Sequence, residues 1–447
     1  MTTGNEFRLL LAFALPLLAG NIFQQLYNIV DTWVVGNYVS DEAFSAVGTM
    51  APITNLFISL FMGFSNGGGV VVSQYFGAKN YEKVHDAVHT MIATAIILAV
   101  ALSVVSQLMV PTMLNLIKTP EDVYPQSLTY LRVYFAGVSG LLFYNMSAGI
   151  LRAVGDSRRP VLFLISSAIV NTVLDLVFVI KFGMGVGGVA LATVIAQGVS
   201  ATLALTTLTR TSACVKIHWS HLRIDPEMLR KIVRVGVPSA LQMGLTSFSN
   251  VFVMSYINQF GKYVMGGWTA YHKIDMLIVQ PMQSLGIATS TFVGQNIGRG
   301  QEERARRGVK RALILAISIT LTLSLLVAAF APWITMFFNK EPEVIRYGTL
   351  FMRRLTPLYF LFCINNILSS ALRGSGNSRV TMYIMLFSFV LFRQCYMFVM
   401  SNFISNTLLP LAFGYPAGWA VCSLVTFLYY RSHGLQKGSV VAQHERK

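Results

Sequence analysis

The chain has 447 residues, of which 54% are apolar and only 12% charged, about half the charged share of an average soluble domain, so a water-soluble globular enzyme is a poor fit. Its formal charge of +16 does not point to nucleic acid, because the basic residues form short clusters between apolar stretches and not one solvated face. Cys214, Cys363, Cys395 and Cys422 stand singly, without the spacing of a disulfide framework or a zinc site.

A membrane helix needs about 20 mainly apolar residues. About twelve such stretches occur, near 9–37, 44–71, 87–109, 128–151, 160–181, 187–209, 230–257, 265–292, 309–330, 348–372, 380–401 and 408–430. The first follows Arg8, but Pro16, Asn21, Gln24, Gln25 and Asp31 interrupt it and no small-residue cleavage site follows. It therefore reads as a membrane helix and not as a signal peptide. Gln24, Tyr27, Asn28 and Asp31 recur at spacings of three and four, which places them on one helix face.

In the second stretch the run Ser65-Asn66-Gly67-Gly68-Gly69 permits close helix approach or local unwinding. His85 and His89 follow at a spacing of four, with no partner ligands at a recognisable spacing. The fifth stretch places Asn171 four residues before Asp175, and the sixth carries Thr193. In the eighth, His272 and Lys273 precede Asp275, where they either neutralise a structural contact or mark a transport residue. Pro16 and Pro281 remove a backbone bond inside their helices and are hinge candidates; a static kink is the other reading.

Lysine and arginine set the orientation. With both termini cytoplasmic, 24 of the 34 basic residues fall in inner segments, five in outer loops (Lys118, Lys181, Lys262, Lys340, Arg346) and five within or beside spans (Arg132, Lys273, Arg353, Arg354, Arg393).

Several features recur at a nearly fixed offset. Pro16 and Asn28 match Pro238 and Asn250 at 222 residues. From Gln74 and Gly77 onward, which match Gln295 and Gly298, the offset is 221. The longest block pairs Leu151-Arg152-Ala153-Val154-Gly155-Asp156-Ser157-Arg158 with Leu372-Arg373-Gly374-Ser375-Gly376-Asn377-Ser378-Arg379. Six spans per half make the halves parallel repeats about an axis along the membrane normal. The expected fold is all-α and integral to the membrane, with about twelve helices in two six-helix bundles, a plan common among transporters. The expected divisions are an N-terminal lobe at 1–209, a cytoplasmic inter-lobe loop at 210–229, a C-terminal lobe at 230–431 and a cytoplasmic tail at 432–447.

Acidic groups facing lipid cost several kcal/mol, so those inside spans usually face a cavity and carry function. Asp31, Asn171, Asp175 and Thr193 offer oxygen ligands and up to two negative charges. That set suits Na+, and a close carboxylate pair equally suits H+, while a purely structural pairing between helices is the other reading. No nucleotide loop, zinc-ligand pattern or nucleophile motif supports a membrane-embedded enzyme, and no organic cofactor or metal beyond Na+ is implied.

These features resemble the multidrug and toxic compound extrusion (MATE) transporters. The likeness rests on Pro16…Gln24-x-x-Tyr27-Asn28-x-x-Asp31-Thr32, on Gln74-x-x-Gly77 with Gln295-x-x-Gly298, and on the paired Leu-Arg-x-x-Gly-[Asp/Asn]-Ser-Arg loops. It covers nearly the whole chain. The resemblance implies secondary antiport of organic, often cationic, drug-like compounds against H+ or Na+ by alternating access, in a bacterial cytoplasmic membrane and by a monomer among lipids. The DinF-like branch of that family has its cation site at positions matching Asp31, Asn171, Asp175 and Thr193 here, with Gln24, Tyr27 and Asn28 lining the same cavity. The acids that the NorM-like branch has on helices seven and ten are missing: Asn250 stands in the seventh span, and Asn365 and Asn366 in the tenth. Asp275 and Lys273 remain without a role. The alternative is a flippase for a lipid-linked precursor, which would favour an arginine-lined cavity.

Overall fold

Lipid supplies no partner for backbone N–H and C=O groups, so the apolar stretches satisfy them internally as helices. The computed structural model describes residues 1–39, 41–116, 119–435 and 438–441. Within the helices, the side chains of 27–33, 36–37, 41–53, 55–56, 60, 116, 248 and 251 lie outside the description. The described residues form α-helices and no strand.

The first half contains α1 (Glu6–Tyr38), α2 (Asp41–Gly77), α3 (Tyr81–Leu116), α4 (Tyr124–Ala136), α5 (Val138–Ala153), α6 (Arg158–Leu176) and α7 (Gly185–Arg210). The second contains α8 (Pro226–Asn258), α9 (Lys262–Gly298), α10 (Glu302–Phe338), α11 (Pro342–Leu355), α12 (Tyr359–Gly374), α13 (Ser378–Met385), α14 (Arg393–Val399), α15 (Leu408–Ala412) and α16 (Gly414–His433). Short breaks join some of these into longer rods. α4 and α5 bend by 46° about Gly137, where an added Cβ would collide with Val194. α11 and α12 are separated by a 3-10 turn, Thr356–Leu358, containing Pro357, which lacks an N–H for the ladder. α13 and α14 are linked by the π-helical turn Leu386–Phe392. α15 and α16 meet at Phe413 within the span Leu408–His433, so twelve rods result among the described residues. Eight of these helices, or nine counting the bent pair, are long and apolar enough to cross a membrane.

Packing divides the chain into two units. One, here the C-unit, joins Met1–Leu15 to Leu241–Lys447; the other, the N-unit, runs from Pro16 to Ala240. The divisions therefore fall inside α1 immediately before Pro16, and inside α8 two residues after Pro238, the two prolines paired by the repeat. The lobe limits drawn from span order describe topology and stand as our proposal.

In the C-unit, the start of α1 is held by Arg304, which donates to Glu6 Oε1 at 3.2 Å and to the Gly4 carbonyl at 2.8 Å. In the N-unit, the basic 211–225 segment is fastened along α3. Asp225 N–H donates to Thr90 Oγ1 at 3.1 Å, and Arg223 pairs with Asp86 at 3.2 Å. The glycine run stays helical within α2 and serves close packing. A Cβ on Gly67 would lie 2.3 Å from Gly236 Cα of α8, and Ser65 donates to the Asn145 carbonyl at 2.5 Å.

The repeat has a physical basis at the helix ends. Gly155 (φ 100) and Gly376 (φ 98) each close a helix in the left-handed region. The following N–H reaches back five residues, Asp156 to Leu151 O at 3.0 Å and Asn377 to Leu372 O at 2.8 Å, the Schellman pattern that favours glycine. The same turn ends α2, where Asn80 N–H reaches Tyr75 O at 3.1 Å, but Lys79 occupies the left-handed position with φ 60. Its partner 221 residues on is Gly300, φ 77. A Cβ in this region costs about 1 kcal/mol, so Lys79→Gly is expected to raise the melting temperature of the purified protein; a lower value would mean the Lys79 side chain contributes more than the strain removes.

Candidate functional site

In the N-unit, five valines bring three rods together: Val34 and Val35 of α1, Val179 just after α6, and Val186 and Val189 of α7. One helical turn from this cluster, always on the same side because α7 runs opposite to α1 and α6, lie sequence positions 31, 175 and 193. Ser167 Oγ donates to the Ala196 carbonyl at 2.7 Å and sets the register of α6 on α7. Successive turns of α6 then carry Asn171 and Asp175 past the turns of α7 that carry Thr193 and Val189.

Asp175 is fully buried and Asn171 is 2% exposed; neither amide atom of Asn171 has a hydrogen-bond partner among the described residues. Thr193 donates its hydroxyl proton to the Val189 carbonyl at 3.0 Å, which turns its oxygen into an acceptor for anything else. Gln24 is half-buried. Asp31, Tyr27 and Asn28 lie outside the described side chains. Pro16 and Pro281 both sit inside continuous helices, α1 and α9.

The C-unit encloses a cavity of about 230 Å³, lined by Thr246, Asn250, Trp268, Tyr271, His272, Asp275, Val279, Gln283, Tyr359, Phe362, Phe389, Arg393, Tyr415 and Trp419. Half of these are aromatic. A hydrogen-bonded chain crosses one wall: Tyr271 and Tyr359 share a 2.8 Å hydroxyl contact, Tyr359 donates to Asp275 Oδ1, and His272 Nδ1 lies 3.3 Å from Asp275 Oδ2. Lys273 is exposed and does not line the cavity, because positions two apart in a helix face different ways; the partners of Asp275 are Tyr359 and His272. On the other wall Arg393 Nη2 donates to Ser249 Oγ at 2.6 Å and Asn250 Oδ1 at 2.9 Å. Its guanidinium carbon lies 5.0 Å from the Tyr415 ring centroid and 5.5 Å from that of Phe389.

Sequence reasoning undervalued this cavity, since its members come from α8, α9, α12, α14 and α16 and their nearby turns, with no shared spacing. One signal was available. Asp275 and Arg393 are charges inside spans whose repeat partners carry none: Arg393 falls on Thr172, and Asp275 on Ile53 or Thr54.

A second grouping also escaped the sequence. His218 and His221, from the segment after α7, join His85 and His89, with ring centroids 3.8 Å apart for 85 and 89, 5.9 Å for 85 and 218, and 5.5 Å for 218 and 221. His89 Nδ1 meets the His85 carbonyl at 2.8 Å while its Nε2 accepts from His218 N–H at 3.0 Å. In that arrangement Nδ1 donates and Nε2 accepts. Among the described residues no three His, Cys, Asp or Glu side chains converge on a metal position.

The sequence model of the MatE family matches residues 16–177 and again 238–398. The two matches begin 222 residues apart and end 221 apart, as the repeat does. Similar proteins include the Probable multidrug resistance protein YpnP of Bacillus subtilis (strain 168), 27% identical with 96% of each chain covered. Another, the Probable multidrug resistance protein YoeA of the same strain, is 29% identical, covering 94% of this chain and 92% of its own. Among solved structures, a MOP superfamily transporter from Pyrococcus furiosus Vc1 (DSM3638) superposes with a TM-score of 0.90 at 24% identity, covering 96% of each chain; that likeness concerns the fold.

Proposed function

The chain belongs to the MatE family, and from that premise we propose that it is a secondary multidrug exporter. It drives organic, often cationic, compounds out of the cell against an inward H+ or Na+ gradient, by alternating access and without an organic cofactor. Relatives named as multidrug resistance proteins along almost the full length of the chain support the export reading. Both termini lie in the cytoplasm in this reading, as the charge bias favours, and the protein acts as a monomer in the bacterial cytoplasmic membrane.

The coupling set is Asp31, Asn171, Asp175 and Thr193, with Gln24, Tyr27 and Asn28 beside it. The observation that carries it is the valine cluster joining α1, the end of α6 and the start of α7, one turn from three of those positions. A cation there would meet a buried carboxylate and hydroxyl and amide oxygens, the donor chemistry of Na+ sites. In place of Na+, the same carboxylate would carry H+ as the coupled ion. Pro16 and Pro281 are the hinge candidates, and the break in packing immediately before Pro16 supports the first. Binding of cation and substrate must favour different states of the transporter for coupling to occur.

The flippase alternative calls for several cavity arginines, and the lining of the C-unit cavity contains only Arg393. The test is ethidium efflux from proteoliposomes under separately imposed proton and sodium gradients. Efflux driven by one of them is expected; no efflux under either gradient, from protein that is correctly folded, would overturn the reading.

A further inference from the structure

Arg393 is 1% exposed and near the middle of the span Ser378–Ile404, yet no ion pair reaches it among the described residues. A charge buried this way is costly unless something neutralises it. The guanidinium has five N–H donors. Two, both on Nη2, are taken by Ser249 and Asn250, and Nε–H has no partner among the described residues. The Tyr415 and Phe389 rings attract the cation without cancelling its charge. The acid of the same cavity is already engaged, since Asp275 accepts from Tyr359 and lies 3.3 Å from His272. The negative end of the cavity is thus satisfied within the protein, and the positive end is not.

We propose that the C-unit cavity is a binding site for small aromatic carboxylates, whose acid group pairs with Arg393 and whose ring lies among Trp268, Tyr415 and Trp419. The inference rests on the export reading and names a substrate class for it beyond organic cations. Both two-pronged edges of the guanidinium share Nη2, which Ser249 and Asn250 occupy, so a carboxylate pairs through a single charge-assisted bond to the unpartnered Nε–H. The indole and phenol rings supply flat apolar faces; Trp268 and Tyr415 centroids lie 5.7 Å apart and those of Tyr415 and Trp419 6.0 Å. At about 230 Å³ the cavity is smaller than the range of about 300–1,000 Å³ usual for drug-sized ligands, which favours an acid of one or two rings.

The experiment is calorimetric titration of the full-length protein in detergent, without any gradient, with 1-naphthoate, its neutral amide 1-naphthamide and the cation 1-naphthylmethylammonium. Naphthoate is expected to bind the parent roughly tenfold or more tighter than either other probe, the usual scale of a charge-assisted pair. Arg393→Gln, which keeps a donor toward Ser249 and Asn250, is expected to erase that preference, and Arg393→Lys to retain part of it. Equal binding of naphthoate and naphthamide to the parent, or tightest binding of the ammonium, would sink the proposal even if the variants failed to fold. So would unchanged naphthoate affinity in Arg393→Gln. Because no transport is measured, a failure of ethidium efflux overturns the export reading alone, and a loss of naphthoate preference beside intact efflux overturns this inference alone.

Discussion

Asp175→Asn is expected to stop gradient-driven ethidium efflux while leaving the protein folded. The carboxylate is fully buried, and a charge in that position costs several kcal/mol, so its neutral isostere should fold at least as well as the parent. What the amide removes is the ability to alternate between charged and uncharged, or between empty and cation-bound. If H+ drives transport, asparagine imitates the protonated acid permanently; if Na+ does, the site loses a negative charge and its affinity. Either way the two faces of the cycle no longer differ in cation occupancy, and coupling worth about 1–3 kcal/mol, or roughly 5- to 150-fold in affinity, disappears. Asp31→Asn is expected to behave alike, and the double variant no worse than either single one, because residues acting as one unit are strongly non-additive. Asp275→Asn, in the C-unit cavity, is expected to keep the response to the gradient. The measurement is initial efflux rate with and without the driving gradient. An Asp175→Asn variant that still follows the gradient at the parent rate would return Asp175 to a structural role and shift the search for coupling to Asp275.

The sequence made the rods legible because lipid imposes one rule on the whole chain: long apolar stretches must be helices, and charges mark their ends. The repeat was legible for a similar reason, since Gly155 and Gly376 sit where a left-handed turn requires glycine, and that requirement keeps the two halves in register. Acids inside spans were legible as exceptions to apolarity. Two kinds of feature were hidden. The cavity around Asp275 and Arg393 depends on which faces of five helices meet, which no spacing along the chain encodes. The hydrophilic segments after α7 and α16 read as a basic loop and a tail, yet Val215 and Ile217 in the first and Leu435, Val440 and Val441 in the second are buried. Such runs are too short for a periodic signal, and their burial is decided by the helix ends they cover.

Gly376→Ala is therefore expected to destabilise the protein much more than the matched control Gly300→Ala. Both glycines have positive φ, 98 and 77, so both substitutions introduce backbone strain of about 1–2 kcal/mol. Around Gly300 none of the described residues lies within 4 Å of an added Cβ, whereas at Gly376 that Cβ would be 2.1 Å from the Gly438 carbonyl oxygen. Backbone cannot rotate aside as a flexible side chain can, so the 438–441 segment must lift. Overpacking of this kind adds about 1–3 kcal/mol, and lifting also threatens the seat of Leu435 against Val293, Ile297, Val309 and Leu372. That Lys79 occupies the first-half partner of Gly300 argues that strain alone is survivable at such a turn. Melting temperature and limited proteolysis of the C-terminal segment decide the matter. A large drop with new cleavage after α16 for Gly376→Ala, beside a small drop and no cleavage for Gly300→Ala, is the expected pattern. Equal effects would mean that the C-terminal segment does not press on the turn and that strain accounts for both.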